Sequence, residues 1–340
     1  MTDDRLARFT SRLAWLAWIG ASAFIMGADP SYVLLSIVLT ALAFVVARLL
    51  ALRSPLTVPS IVVAVAAVVV GLYSTEILSG YAYSPPLGYS NANAAFFVQA
   101  SIAALMLVFA ARSRAMRVAG IGGALLFAAV PIASGVTAGV VLILGLPAGA
   151  LIVHRLRGRR TAVIACAASA AFVFTMTLVL ALSYRRSAEG GLVGLATRVL
   201  SENRLRLWNE ALVIIADHAV FGVGPGGFQT ASPTAMADAD LRWAHNGFLQ
   251  HGAESGLPAM GFLIAVPAWA FARLGAARGG GRLTVLAAAA LAAAASHASV
   301  DYILHFPVVP IVTAALVSSG SAVRHGVYPA TASPRSIVRA

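Results

Sequence analysis

Residues 32–52 read YVLLSIVLTALAFVVARLLAL, and this apolar run decides the class of fold. About 20 apolar residues in a helix cross a hydrocarbon layer of roughly 30 Å. In lipid the main-chain polar groups need partners within the segment itself, and a helix supplies them. The run is therefore predicted to span a membrane as an α-helix.

The same pattern recurs along the chain, between short breaks that carry arginine. Hydrophobic residues make up 60% of the sequence and charged residues 11%, and the mean hydropathy is +0.87. This is the composition of an integral membrane protein. We predict an all-α, polytopic transmembrane bundle of about ten spans, with a large external loop that carries short amphipathic helices. The predicted spans are 13–28, 32–52, 56–78, 94–111, 118–133, 137–153, 161–183, 257–273, 283–299 and 305–323.

The positive charge indicates an orientation in the membrane. The formal net charge is +12, and all 24 basic residues are arginine. If both termini are cytoplasmic, most arginines fall in cytoplasmic segments, and the others fall in one long loop, which the positive-inside rule exempts. The sequence thus predicts a multi-pass protein of the cytoplasmic (inner) membrane with both termini cytoplasmic. This placement favours membrane lipids over nucleic acid as the partner of the basic residues.

The spans divide the chain into four parts. Residues 1–183 hold the first seven predicted spans, 184–256 form the external loop, 257–323 hold the last three spans, and 324–340 form a cytoplasmic tail. Long polar loops on one face of a bundle are the usual location of binding and catalysis. The loop is therefore the predicted catalytic region.

Local patterns predict structure within this loop. The stretch RLRLWNEALVIIADH (204–218) has apolar residues three or four positions apart, as in an amphipathic helix at a membrane surface. The stretch GVGPGGF (222–228) is predicted to be a tight turn, with phosphate binding by its N–H groups as an alternative. A second short helix is predicted with Asn246 near its start and Gly256 closing it before Pro258.

Five stretches together resemble the O-antigen ligase and polymerase superfamily. They are GYSNANAAF (88–96), RLRLW (204–208), DHAVFGVGPGGF (217–228), AHNGFLQHGAESGLP (244–258) and HASVDYILHFP (297–307). The resemblance covers the chain from about residue 88 to its end. It implies transfer of a glycan from undecaprenyl pyrophosphate to an acceptor hydroxyl on the outer face of the cytoplasmic membrane, with inversion.

The implied reaction defines the partners and the chemistry to look for. The donor would be an undecaprenyl-pyrophosphate-linked glycan, and the acceptor a glycan, a lipid or a protein. Such a transfer needs cations near the developing charge of the leaving group and a base near the acceptor hydroxyl. No cofactor and no metal are expected.

Helical spacing separates two arginines of the loop. Arg206 stands four residues before Glu210, so these two are predicted to form a structural pair along the helix. Arg204 has no acidic residue at either spacing and is predicted to be a catalytic ligand of the pyrophosphate. Binding of lipid headgroups by Arg204 is the alternative.

His245 is the candidate base. It stands near a helix N-terminus with Arg242 three residues earlier, so its charged form is disfavoured and a neutral, proton-accepting imidazole is expected. A structural histidine or a metal ligand are the alternatives. Asn246 either binds substrate or caps the helix, and capping is favoured.

Further polar residues receive supporting assignments. Glu254 and His251 lie three apart and are predicted to pair in a structural role. Asn91 and Asn93 suit sugar contacts, although asparagine also caps helices, and nearby tyrosines also anchor membrane interfaces. Many family members have a Ser-Arg pair at the position near Thr137, where this sequence has none. Arg198 or Arg242 could supply that second pyrophosphate contact.

Two weak metal signals and three alternative functions remain. Asp238 and Asp240 match a metal-binding aspartate pair, and His297, Asp301 and His305 have the spacing of a stripe on one helix. A structural role for Asp301 is favoured over a metal site. A polymerase of lipid-linked repeat units would use the same motifs. A transporter or flippase of lipid-linked glycans would bind phosphate through the arginines without reaction, and an inactive relative would serve as an assembly partner.

Overall fold

A computed structural model gives the fold of residues 31–186, 191–277 and 281–322. These residues form α-helices and two short 3-10 turns, with no strand among them. The helices are α1 (Ser31–Arg53), α2 (Thr57–Leu78), α3 (Ser90–Ala110), α4 (Arg114–Ala133), α5 (Thr137–Arg157), α6 (Arg159–Arg186), α7 (Gly191–Leu200), α8 (Glu202–Asp217), α9 (Phe228–Ala231), α10 (Pro233–Ala237), α11 (Gly247–Ala276), α12 (Gly281–Ala298) and α13 (Val308–Ala322). The 3-10 turns are Ala239–Leu241 and Ile303–His305.

The predicted all-α membrane bundle is confirmed at the level of fold class. Eight of the described helices, α1 to α6, α11 and α12, are long and apolar enough to cross a membrane, and α13 is a shorter apolar helix. Each of these nine helices overlaps one predicted span. The predicted span 13–28 and the predicted tail 324–340 lie outside the described residues.

The centre of the bundle is formed by α3 and α12, which are buried along most of their length. Small side chains allow close approach, as at Gly320 of α13, where an added Cβ would lie 2.4 Å from Ala287 Cβ. Polar side chains join helices across this contact zone. Thr284 Oγ1 donates to Gly320 O at 2.9 Å, and Gln99 Nε2 donates to Ala290 O at 3.0 Å. The alanine-rich sequence of α12 is thus a packing feature.

The apolar face of helix α8 packs against other helices of the protein. Its apolar face is buried in a cluster with residues of α6 and α11, and Leu205 and Trp208 have no exposed surface. Its amphipathic character was predicted correctly, because the spacing of apolar residues is a local property. The location of its apolar face was wrong: that face contacts protein.

A glycine divides α11 into two parts. Gly256 has φ 83° and ψ 172°, which breaks the helical geometry between the segment after Asn246 and the apolar segment before Ala276. The kink packs directly against the turn that follows α8, where Leu257 N donates to Ala219 O at 2.8 Å. The predicted division at Gly256 is confirmed, and it allows α11 to contribute to both the loop and the bundle.

Gly256→Ala is expected to destabilise the fold strongly. The backbone conformation is one that essentially only glycine adopts, and an added Cβ would lie 2.0 Å from the main-chain oxygen of Val220. We expect a loss of several degrees in the midpoint of thermal aggregation of the purified protein, from strain of about 1–3 kcal/mol plus the clash.

The matched control is Gly261→Ala in the same helix. Nothing lies within 4 Å of the Cβ position there. Alanine is favoured over glycine inside a helix by about 1 kcal/mol, so the control should be neutral or stabilising. Equal midpoints for the two variants would contradict the role given to the kink.

Candidate active site

Four segments distant in sequence meet at the carboxylate of Asp301. Arg204 Nη2 of α8 lies 2.9 Å from Asp301 Oδ2. The Tyr89 hydroxyl lies 3.0 Å from both carboxylate oxygens, and Asn91 Nδ2 donates to Oδ2. His245 Nδ1 lies 3.5 Å from Oδ1. Asp301 is thus the centre of a buried polar cluster at one end of the bundle.

A bend in the backbone at Asp301 brings its carboxylate close to these partners. Helix α12 ends at Ala298, and the chain bends before the 3-10 turn Ile303–His305. Asp301 O accepts from Gly247 N at 3.2 Å, and its own carboxylate accepts from Tyr302 N at 2.7 Å. The bend is therefore joined to the start of α11.

His297, Asp301 and His305, the weaker metal alternative, do not form a stripe on one helix, because α12 ends at Ala298. His297 is buried within α12, and neither of its ring nitrogens has a hydrogen-bond partner in the part of the chain that the structure describes. Within the residues that the structure describes, no three or more histidine, cysteine or acidic side chains are grouped so that they could hold a metal ion.

The surroundings of Asp301 favour its ionised form. Burial by itself raises the pKa of its carboxyl, but the neighbouring His245 and the charge of Arg204 hold that pKa well below its usual range. Burial and the charge of Asp301 raise the pKa of the Tyr89 phenol. Tyr89 consequently stays protonated and can donate to the carboxylate.

The backbone of His245 is unusual. Helix α11 begins at Gly247 with Asn246 as its N-cap, so His245 stands just before the cap, with a positive φ of 49°. Its ring meets the ring of Tyr302 edge-on, with centroids 4.9 Å apart. The imidazole therefore lies between Asp301 and an aromatic ring.

The neighbour of His245 differs from the predicted one. Arg242 is exposed and donates to Ala239 O at 2.8 Å, whereas the carboxylate of Asp301 faces Nδ1. A carboxylate at that position favours the tautomer with its proton on Nδ1, which leaves Nε2 as the proton acceptor. The proposed base role of His245 is thus better founded on its contact with Asp301 than on the proximity of Arg242.

The two loop arginines are separated as predicted, but their partners are different. Arg206 Nη2 pairs with Glu202 Oε1 at 3.0 Å, one turn towards the N-terminus. The predicted pair with Glu210 is wrong, because Glu210 accepts hydrogen bonds from the hydroxyls of Ser232 and Thr234. Arg204, predicted to lack a local partner, has a tertiary partner in Asp301.

The asparagines have mainly structural contacts. Asn246 Oδ1 accepts from Phe248 N and Leu249 N, and its Nδ2 donates to Ser299 O at 2.6 Å, so capping is confirmed. Asn93 is buried, and its Nδ2 donates to Ser84 O at 2.9 Å. These contacts favour structural roles for Asn246 and Asn93 over the predicted contacts with substrate. Asn91 lies in the cluster and contacts Asp301.

Glu254 joins two motifs that are separate in sequence. Its carboxylate accepts hydrogen bonds from Gln250 Nε2 at 2.6 Å and from the main-chain N–H groups of Gly226 and Phe228. The glycine-rich stretch is a tight turn, as predicted, with positive φ at Gly222, Gly224 and Gly226. Two of its N–H groups thus bind Glu254, which argues against their use for phosphate.

Other candidates stand apart from Asp301. Arg198 of α7 is exposed, and neither Arg198 nor Arg242 contacts the Asp301 carboxylate. Asp238 Oδ1 accepts from Asp240 N, and Asp240 Oδ1 accepts from the Tyr83 hydroxyl at 2.9 Å. This aspartate pair therefore serves the local turn and a contact between two loops.

Sequence reasoning missed the central position of Asp301 and its contact with Tyr89. One signal was available for Asp301, since it is the only acidic residue after Glu254. No sequence signal placed Tyr89 beside it, because the two are 212 positions apart.

No protein family model matches this chain, and no curated protein is significantly similar to it. A partly exposed arginine, a histidine and a buried carboxylate lie within one cluster. Such a cluster can bind an anion and accept a proton.

Proposed function

We propose that this chain is a membrane glycosyltransferase of the O-antigen ligase type. It would transfer a glycan from undecaprenyl pyrophosphate to an acceptor hydroxyl at the external face of the cytoplasmic membrane. The observation that carries the proposal is the meeting of Arg204, His245 and Asn91 at Asp301. These residues come from four stretches that resemble the same superfamily.

Arg204 is the proposed ligand of the donor pyrophosphate. Its Nη2 pairs with Asp301, and its side chain is 22% exposed. A guanidinium has five N–H donors, so the groups that do not face Asp301 can bind phosphate oxygens. Charge that develops on the departing pyrophosphate oxygen would be stabilised there.

His245 is the proposed base. Asp301 would orient the imidazole through Nδ1, so that Nε2 receives the proton of the acceptor hydroxyl. The acceptor oxygen then forms a bond to the anomeric carbon while the bond from that carbon to the pyrophosphate oxygen breaks. A single displacement of this kind inverts the anomeric configuration. The acceptor and the pyrophosphate would therefore lie on opposite sides of the sugar ring.

The alternative within the same chemistry is a polymerase of lipid-linked repeat units, whose acceptor is a second lipid-linked glycan. A transporter or flippase of lipid-linked glycans is the non-catalytic alternative. Arg204 would then bind phosphate, but His245 and Asp301 would have no proton to move. The clustering of a candidate base beside the candidate anion ligand supports transfer over transport.

The proposal is tested with purified protein in liposomes that contain an undecaprenyl-pyrophosphate-linked glycan. Candidate glycan and lipid acceptors are added in turn, and products are followed by mass spectrometry and by the anomeric coupling constant. We expect transfer with inversion and release of undecaprenyl pyrophosphate. Movement of donor between leaflets without product would favour the flippase, and linkage only to a second lipid-linked unit would favour the polymerase.

The proposed orientation has its own test. Reporter fusions at Pro233 should report the external side, and fusions at Arg114 and Gly158 should report the cytoplasm, because of the arginine distribution. A cytoplasmic reporter signal at Pro233 would contradict transfer at the external face.

A further inference from the structure

The indole of Trp208 contacts the backbone of the candidate base. Trp208 has no exposed surface, and its Nε1 donates to the carbonyl oxygen of His245 at 3.0 Å. His245 has φ 49°, in the left-handed region that residues with a β-carbon seldom adopt. A backbone in this region persists only where the surrounding structure holds it.

The chain on either side of His245 is held by other hydrogen bonds. Ala244 N donates to Gln250 Oε1 at 2.6 Å, and Gly247 N donates to Asp301 O at 3.2 Å. These contacts fix the chain before and after His245. The Trp208 indole is the side chain that binds the peptide group of His245 itself.

Helix α8 thus contributes both Arg204 and Trp208 to the site. Arg204 and Trp208 are four residues apart on α8, so they lie on the same face one turn apart. Arg204 reaches the Asp301 carboxylate, and Trp208 reaches the main chain of the residue whose ring faces that carboxylate. The position of α8 therefore sets the distance between the candidate cation and the candidate base.

We propose that Trp208 is a positioning residue that holds the His245 backbone in its left-handed conformation and thereby directs the imidazole towards Asp301. The role in catalysis rests on the proposed transferase function. It depends on the indole N–H and not on the bulk of the ring alone.

Trp208→Phe keeps an aromatic ring in the core and removes the N–H donor. We expect kcat of transfer to fall about 10- to 100-fold, because small displacements of a catalytic group are costly, with little change in KM for the donor. Trp269→Phe is the matched control. Trp269 packs against Phe44 and lies under Arg273, away from Asp301, and this variant should keep the wild-type kcat.

A double-mutant comparison separates positioning from general loss of structure. If Trp208 acts through His245, Trp208→Phe should have little further effect on the residual rate of a His245→Ala variant. An equal reduction in both backgrounds would overturn the proposal.

A second measurement does not depend on transfer activity. The rate of carbethoxylation by diethyl pyrocarbonate is measured for each histidine by mass spectrometry. At His245 this rate should be at least about threefold higher in Trp208→Phe than in the wild type. The exposed His218 serves as the internal reference, and its rate should not change. Absence of transfer by the wild type would refute the proposed function and leave this measurement valid. An unchanged rate at His245 would overturn the positioning role.

Discussion

His245→Ala is expected to lower the turnover of glycan transfer by about 10²- to 10⁴-fold, while binding of the lipid-linked donor persists. A sugar hydroxyl is a poor nucleophile at neutral pH, and a positioned general base contributes a factor of this size. His245 Nδ1 lies 3.5 Å from Asp301 Oδ1, and the side chain is mostly buried. Turnover and donor binding are measured separately in the reconstituted system.

The matched substitution is His245→Gln. An amide can orient a hydroxyl by hydrogen bonding, but it cannot take the proton, so this variant should be no better than His245→Ala. If His245→Gln keeps most of the activity, the residue orients the acceptor and does not deprotonate it. Addition of EDTA should leave the wild-type rate unchanged. If EDTA stops the reaction and Mg²⁺ or Mn²⁺ restores it, the metal-free mechanism is wrong. Asp238 and Asp240 would then be the candidate metal ligands.

Arg204→Ala is expected to abolish glycan transfer. Removal of Arg204 also leaves the buried carboxylate of Asp301 without its ion-pair partner, which is strongly destabilising in buried pairs. Arg204→Lys keeps the positive charge beside Asp301 but loses the planar fork that binds two phosphate oxygens at once. We expect near-normal membrane levels and a loss of at least about tenfold in donor affinity for this variant.

Arg206→Lys and Arg206→Ala are the controls on the same helix. The Arg206 side chain is 48% exposed and pairs with the exposed Glu202, an interaction that contributes only a few tenths of a kcal/mol. Both variants should transfer glycan at close to the wild-type rate. Wild-type donor affinity in Arg204→Lys would refute the pyrophosphate assignment. An equal loss in the Arg206 variants would instead indicate a general effect of positive charge.

The sequence by itself determined those features that depend on neighbours along the chain. Apolar runs of membrane-spanning length predicted the helical bundle, because hydropathy and helix length are local quantities. Asn246 was predicted to cap a helix and Gly256 to interrupt one, since capping and left-handed geometry follow from the residue type and its immediate context. The amphipathic spacing of α8 was readable for the same reason.

Only the tertiary structure decided which polar groups meet. Asp301 was assigned a structural role, yet it pairs with Arg204 across 97 positions and with Tyr89 across 212. Glu210 was expected to pair with Arg206 of its own helix, but its carboxylate accepts from Ser232 and Thr234, which packing brings close. Glu254 binds Gln250 of its own helix and also main-chain N–H groups of the glycine-rich turn. Helical spacing states which residues share a face. It does not state what that face packs against, because a contact between distant segments depends on the packing of the whole bundle.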